Sequence, residues 1–268
     1  MEATAPERYE RWAEHAYEAI APVYDDFTAH HDYELWLGNL LPELRRHGLR
    51  EEGRLLDVGC GTGKSFLPML ERGWEVTGCD ISASMLARAQ AKAGAGARLL
   101  VADMRELPPL GEFDLVWALD DAVNYLLSGV ELGEALAGMR ANLAPGGLLT
   151  FDVNTLHSYR TFFAETQVVE SDGLRLIWRG QAAPDVPPCS ICESRFEVEA
   201  VDSGEGAGNP IETHLHRQRH FPEAEVLELL EGAGLVCLDV FGHGFDAVPQ
   251  QPLDELEHTK AVYIARRA

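Results

Sequence analysis

The stretch Leu55-Leu56-Asp57-Val58-Gly59-Cys60-Gly61-Thr62-Gly63-Lys64 constrains this chain more than any other. An apolar run entered from polar Glu51-Glu52-Gly53-Arg54 has the composition of a buried parallel strand, and glycines at alternate positions end it in a tight turn. Without Cβ atoms, Gly59, Gly61 and Gly63 can take positive φ and let a large, flat ligand approach the main chain. A helix starting just beyond would aim its first N–H groups at the same space. This is a nucleotide-type site. Gly63-Lys64-Ser65 matches the end of a Walker A loop, but the glycine that must open that loop falls on Val58, one residue out of register, which rejects it. A dinucleotide fingerprint from Gly59 puts its third glycine at Lys64, so NAD stays as an imperfect alternative.

Two downstream carboxylates bear on the choice. Glu75-Val76-Thr77-Gly78-Cys79 reads as a second strand ending in Asp80, placed to accept both ribose hydroxyls of a nucleoside, with Ile81 against the base. A third strand, residues 97–102, ends in Asp103-Met104. One acid at the second strand tip suits NAD or S-adenosylmethionine; a second acid at the third tip, able to accept from an adenine amino group, suits the methyl donor better.

Leu56-Asp57-Val58-Gly59-Cys60-Gly61-Thr62-Gly63, Asp80-Ile81-Ser82-Ala83-Ser84-Met85-Leu86, Asp103-Met104 and Leu143-Ala144-Pro145-Gly146-Gly147 resemble, in order and at workable spacing, the consecutive motifs of class I S-adenosylmethionine-dependent methyltransferases. The resemblance implies a donor site built from Asp57, Gly59, Cys60, Gly61, Gly63, Asp80, Ile81, Met85, Asp103, Met104, Leu119 and Asp120. In small-molecule members the region before the first strand folds over the donor, and Asp32-Tyr33-Glu34-Leu35-Trp36-Leu37 is similar to the corresponding stretch of glycine N-methyltransferase. Tyr17, Tyr24 and Trp36 join the donor contacts on that ground, with Tyr24 the better candidate.

The periodicities extend this reading along the chain. Tyr9, Trp12, Ala16 and Ile20 predict an amphipathic helix over 7–22, and Tyr33 to Gly48 predicts a second, kinked at Pro42. From 54 to 153 strands alternate with helices, which under the right-handed crossover rule gives a parallel sheet covered on both faces. After strand five, Leu148 to Asn154, four stretches between 167 and 218 alternate at period two and predict a small antiparallel sheet. Similar insertions cover the acceptor pocket of amino-sugar N,N-dimethyltransferases and glycine N-methyltransferase. A helix from Phe221 and two closing strands, 235–241 and 261–265, complete a Rossmann-like seven-stranded α/β sheet. The expected organisation is an N-terminal helical lid over 1–50, a donor-binding domain over 51–154 and 221–268, and an inserted sheet over 155–220.

Composition narrows the function classes. A net charge of −22, with Lys64, Lys92 and Lys260 as the only lysines, repels phosphate backbones and argues against nucleic acid. No run of about eighteen apolar residues occurs and the N-terminus lacks an apolar signal core, which reads as a soluble, cytoplasmic chain, with a homo-oligomer left open. Cys189-Ser190-Ile191-Cys192 has no second cysteine pair, and His214, His216 and His220 lack a fitting carboxylate or thiol, so no metal is expected. The fourth strand tip, Leu119-Asp120-Asp121-Ala122-Val123-Asn124-Tyr125, is where this fold usually presents the acceptor. It lacks the Asn-Pro-Pro-Tyr-like motif of adenine and amide methylation, and Pro188-Cys189 comes too late for a cytosine-type nucleophile. The expected activity is N-methylation of a small polar metabolite, an amino-sugar or amino-acid-like amine, by direct in-line transfer. Tyr24 would cover the donor, and Asp121 and Asn124 would orient or deprotonate the amine. An O-methyltransferase, an NAD-dependent oxidoreductase and a non-catalytic S-adenosylhomocysteine-binding protein are the alternatives.

Overall fold

The computed structural model describes residues 12–201 and 212–268; Tyr9 lies outside them. Helices α1 (Trp12–Ile20), α2 (Tyr24–Phe27) and α3 (Tyr33–Arg46) precede β1 (Arg54–Val58). There follow α4 (Leu67–Glu71), β2 (Glu75–Asp80), α5 (Ala83–Ala93), β3 (Ala97–Val101), β4 (Phe113–Ala118), α6 (Gly129–Ala141) and β5 (Leu143–Asn154). A short α7 (Leu156–Arg160) leads into β6 (Thr166–Ser171), β7 (Leu174–Gly180), β8 (Ile191–Ala200) and β9 (Glu212–Arg219). The chain closes with α8 (Glu223–Gly232), β10 (Leu235–His243) and β11 (Lys260–Arg267). Among the described residues no helix is long and apolar enough to cross a membrane.

Seven strands pair in the order β10-β11-β5-β4-β1-β2-β3, and β11 alone runs antiparallel to its neighbours. Strand periodicity sorts the side chains onto two covered faces. Leu55, Leu115 and Leu148 meet Leu37, Leu40 and Leu44 of α3 and Met69 of α4. Leu56, Val116 and Leu149 meet Leu132, Leu136 and Met139 of α6 and Val226 and Leu230 of α8. The i, i+3, i+4 spacing of those leucines puts them on one side of each helix. Pro42 does not end α3, which continues to Arg46. β5 starts five residues earlier than its hydropathy suggests, at Leu143 rather than Leu148, because Leu143 already pairs with Phe113 and residues 144–147 bulge out before the pairing resumes at Leu148 and Leu115. A Cβ on Gly147 would meet the Phe113 carbonyl at 2.7 Å, so only glycine allows that approach.

The second sheet is the antiparallel meander β6-β7-β8-β9. Its face carrying Leu176, Trp178, Phe196 and Val198 closes a third apolar cluster with Ile20, Ala21 and Phe27 of the N-terminal segment and with Tyr159 and Phe163. Phe27 stands edge-on to Phe196, ring centroids 4.9 Å apart. α1 therefore touches both α5 of the large sheet and β9 of the small one.

Candidate active site

β1 pairs with β2 on one side and with β4 on the other, so the connections depart in opposite directions and leave a crevice above the carboxyl ends. The glycine turn forms its floor. Gly61 has φ +51°, and a Cβ there would meet nothing within 4 Å, so its bare face opens on the crevice. Gly59 and Gly63 answer to packing instead: added Cβ atoms would strike Ala122 at 2.9 Å and the Phe66 ring at 2.7 Å. The first N–H groups of α4 are not available to a ligand, contrary to expectation. Leu67 N–H donates to Gly63 O, those of Met69 and Leu70 donate to Phe66 O, and Pro68 has none.

Asp80 ends β2 and ties the turn to it. Its Oδ2 accepts from Gly61 N at 2.8 Å and its Oδ1 from Ser82 N at 2.9 Å. Burial raises its carboxyl above the ordinary range, and those backbone donors pull it partly back. Each oxygen still has acceptor capacity toward the cleft. Asp103 also lines the cleft but is fully engaged: Arg105 N and Nε reach Oδ1 at 2.9 Å each, and Arg105 Nη2 reaches Oδ2 at 2.6 Å. Arg105 continues to Glu131 at 3.0 Å.

The cleft, with the open space at its mouth, spans about 970 Å³. Of the residues anticipated, Tyr17, Tyr24, Gly59, Cys60, Gly61, Asp80, Ile81, Asp103, Met104, Leu119 and Asp120 line it. The others lie behind it. Asp57 is buried beneath the turn and accepts from Ser65 Oγ at 2.5 Å. Gly63 packs on Phe66, and Met85 is fully buried in the third apolar cluster. Trp36 lies between Tyr33 and His243, at 5.9 and 5.7 Å. Asn124 is fully buried; its amide donates to Arg219 O at 2.8 Å and accepts from Asn154 N at 2.9 Å, which joins β9 to β5. Asp121 stands behind Asp120, against Lys260 and the Gln218 amide.

The tip of β4 has the most unusual backbone. Asp120 and Asp121 both adopt left-handed conformations, φ +62° and +55°, a strain of about 1–3 kcal/mol each for non-glycine residues. The fully buried Asp152 on β5 offsets it: its two oxygens accept the N–H groups of Asp120 at 2.6 Å and Asp121 at 2.9 Å. Lys260 Nζ reaches Asp121 at 2.6 Å, Asp152 at 3.0 Å and Asp120 at 3.6 Å. Asp120 also contacts His31 Nδ1 at 3.1 Å and accepts from Tyr33 OH at 2.9 Å. Burial works against the Asp120 charge, but His31, Lys260 and Tyr33 hold its carboxyl well below the ordinary range. For Asp121 burial wins; with Lys260 opposing and Asp120 and Asp152 adding to it, the carboxyl is pushed up to about 6.

Aromatic side chains wall the remaining space. Tyr17 lies 6.1 Å from Tyr24 and 5.2 Å from Tyr125, and Trp12 stacks on Tyr125 at 5.7 Å. Burial raises the Tyr17 and Tyr24 phenols well above their ordinary value, so they stay neutral donors. The segment that brings them is fastened to the donor loops: Asp25 accepts from Thr62 at 2.6 Å and pairs with Lys92 at 2.9 Å, while Glu18 accepts from Ser82 Oγ at 2.9 Å and Ser84 N at 3.0 Å. Lys64 Nζ donates to Thr28 Oγ1 at 3.1 Å. Sequence reasoning missed Lys260 and Asp152; a charged residue inside the otherwise apolar 148–153 run was a signal for Asp152, whereas Lys260 opens its strand and gave none.

Residues 55–147 match the methyltransferase domain family. The chain is 32% identical over 244 residues to YqeM of Bacillus subtilis, named only as a methyltransferase, covering 90% of this chain and 94% of that one. The chain belongs to the S-adenosylmethionine-dependent methyltransferases. A dTDP-3-amino-3,4,6-trideoxy-alpha-D-glucopyranose N,N-dimethyltransferase of Streptomyces venezuelae is 29% identical, covering 80% of this chain and 89% of its own. A malonyl-[acyl-carrier protein] O-methyltransferase of Pseudescherichia vulneris is 30% identical, with 75% and 81% covered. The crystal structure of an S-adenosylmethionine-dependent methyltransferase from Clostridium acetobutylicum superposes with a TM-score of 0.74 at 20% identity, over 94% of this chain and 99% of that one. The residues of this methyltransferase fit the donor: the open face of Gly61, the spare acceptor capacity of Asp80 and the anionic strand tip suit a nucleoside bearing a sulfonium.

Two predictions follow from this geometry. Replacing Asp80 by Ala should weaken S-adenosylmethionine binding about ten- to a hundredfold, the loss of about 1.5–3 kcal/mol for hydrogen bonds to a charged acceptor. Asp103→Ala should cost less, because Arg105 already occupies that carboxylate; titration calorimetry that ranks Asp103 above Asp80 would refute the assignment. The second concerns Asp57, whose carboxyl burial pushes up to about 7, against the Ser65 hydrogen bond. A folded pKa above the unfolded one stabilises at low pH and is lost as pH rises through it. The wild-type fold should therefore lose about 2–3 kcal/mol at this site between about pH 5 and about pH 8. Asp57→Asn should gain on it over that interval in urea titrations; parallel pH dependences would show that Asp57 ionises freely.

Proposed function

We propose that this methyltransferase transfers a methyl group to the nitrogen of a small polar amine, of amino-sugar or amino-acid-like type. The observation that carries the reading is the β4 tip, where Asp120 faces an aromatic-walled cleft, with Asp121 and Asp152 behind it and a single buried lysine among them. Three carboxylates against one ammonium leave a negative site, which attracts a cationic amine. The same field disfavours an anionic acceptor such as a malonyl carboxylate. O-methylation of a small molecule is the second reading; the relative named as a malonyl-[acyl-carrier protein] O-methyltransferase favours transfer to oxygen in general.

S-adenosylmethionine supplies an activated methyl group with a good leaving group, so the chain needs no nucleophile. Its residues have to hold two reactants in line and exclude water. In this reading Asp80 takes the ribose hydroxyls, Asp103 lies toward the adenine edge, and Asp120 anchors the charged end of the donor. Tyr24 lays its ring beside the methyl group, a cation–aromatic attraction of about 0.5–2 kcal/mol. The proton an ammonium acceptor must lose passes to Asp121, which stands behind Asp120 and is reached from the cleft indirectly. Residues 1–50 act as a lid and 155–220 as the cover of the acceptor side, both attached to the donor domain of 51–154 and 221–268.

The test is product mass spectrometry with a panel of amino sugars, amino acids, hydroxyl compounds and carboxylates, S-adenosylmethionine being supplied. Methylated amines are expected, and methylation confined to oxygen would replace the reading. With such an acceptor in hand, the wild-type rate should fall as pH drops through about 6, where Asp121 takes up a proton. Asp121→Asn should remove that limb, and Tyr24→Ala should lower turnover more than melting temperature. Turnover that survives deletion of residues 1–30 would dismiss the lid.

A further inference from the structure

Lys260 opens β11 and is one of three lysines in the chain, yet it is spent on a buried contact, with only 15% of its side chain exposed. Among the described residues its ammonium is the one cation that contacts Asp120 and Asp121 at the β4 tip and Asp152 on β5 together. Burial of Lys260 opposes its charge, and Asp121, Asp152 and Asp120 together overcome that, raising it above the usual lysine value. Asp152, held by Lys260, in turn fixes both N–H groups of the left-handed turn.

We propose that Lys260 is a positioning residue of the methyltransferase site: it keeps Asp121 ionised behind the cleft and, through Asp152, keeps the Asp120–Asp121 turn in place. The proposal rests on reading the cleft as the donor site. Around Asp120 and Asp121, just past β4, and Asp152 on β5 stand His31 and Tyr33 ahead of and within α3, Tyr17 and Tyr24 from α1 and α2, Tyr125, and at longer range Lys64 and His30 toward Asp120 and Tyr159 toward Asp121. His243 on β10 also feels the Lys260 charge. Of these, Asp120 has a hydroxyl and an imidazole of its own, whereas Asp121 depends on Lys260 and the Gln218 amide. Burial raises the Asp152 carboxyl as well, but without the lysine Asp152 keeps two backbone N–H donors while Asp121 keeps the Gln218 amide alone, so Asp121 is the carboxylate to which we assign the proton at neutral pH.

That exchange has a charge-specific signature. S-adenosylmethionine carries a sulfonium and S-adenosylhomocysteine a neutral sulfur, so the ratio of their affinities reads the field at the site while changes common to both cancel. In the wild-type chain the ratio should vary less than about twofold between about pH 7 and about pH 8.5. In Lys260→Met it should rise about three- to tenfold over that range, as Asp121 loses its proton and no cation replaces it. Lys260→Met combined with Asp121→Asn should be flat again. Calorimetric titrations of the full chain decide the matter. A Lys260→Met ratio as flat as wild type, or a slope that persists in the double variant, overturns the proposal. If Lys260→Met does not fold while the double variant does, the same pairing is supported; if neither folds, Lys260 serves the fold alone and the proposal fails. A wild-type chain that binds neither ligand would instead remove the donor site, a result distinct from all of these.

Discussion

Everything in this molecule that handles a ligand depends on β1 having β2 on one edge and β4 on the other. Because the crossovers leave that strand in opposite directions, neither crossover covers its carboxyl end, and the residues just past β1, β2, β3 and β4 face a common space. Their identity follows from that placement. Gly61 and Asp80 are hydrogen-bonded to each other across the gap between β1 and β2, while the turn after β4 needs a carboxylate from β5 to hold a backbone that ordinary residues avoid.

The acidic composition has a counterpart in how charge is distributed inside. Buried carboxylates are tolerated only when they are hydrogen-bonded or paired, and each one here has a different solution. Asp80 uses backbone donors, Asp57 a serine, and the Asp120–Asp121–Asp152 group a single ammonium. The scarce lysines are spent in this neighbourhood. Lys260 sits under the β4 tip, and Lys64 and Lys92 hold Thr28 and Asp25 of the N-terminal segment. The rest of the surface carries arginine as its cation, often beside glutamate, as in Arg45–Glu51 and Arg175–Glu170.

The parts of this arrangement that follow from local pattern were legible in the sequence. Strand alternation, the glycine turn and the strand-end aspartates need only neighbours in the chain, and they placed the seven-stranded sheet, the four-stranded insertion and most of the cleft floor. What pattern could not show was contact between distant segments. Asn124 looked like an acceptor-facing amide but is consumed joining β9 to β5, 95 and 30 residues away. Lys260 and Asp152 come together only because β11 inserts antiparallel beside β5, pairing Lys260 with Asn154 two residues beyond Asp152. Trp36 was placed in the site by the likeness of its stretch to glycine N-methyltransferase, whereas the rotation of α3 presents Tyr33 there and turns Trp36 to His243. The helix after the glycine turn failed for a local reason: Pro68 and the carbonyls of Gly63 and Phe66 use up its first turn.

The fastening of the N-terminal segment bears on time as well as on geometry. Glu18, Asp25 and Thr28 are bonded to Ser82 and Ser84, to Thr62 and Lys92, and to Lys64, all of which belong to the turns that floor the cleft or to the helix behind them. Each contact alone is weak enough to open often, but under the lid reading proposed above a molecule beneath Tyr17 and Tyr24 would depart only when several opened together. On that reading, residence time in the cleft would follow the joint opening of three short-range attachments rather than the ligand's own contacts with the floor.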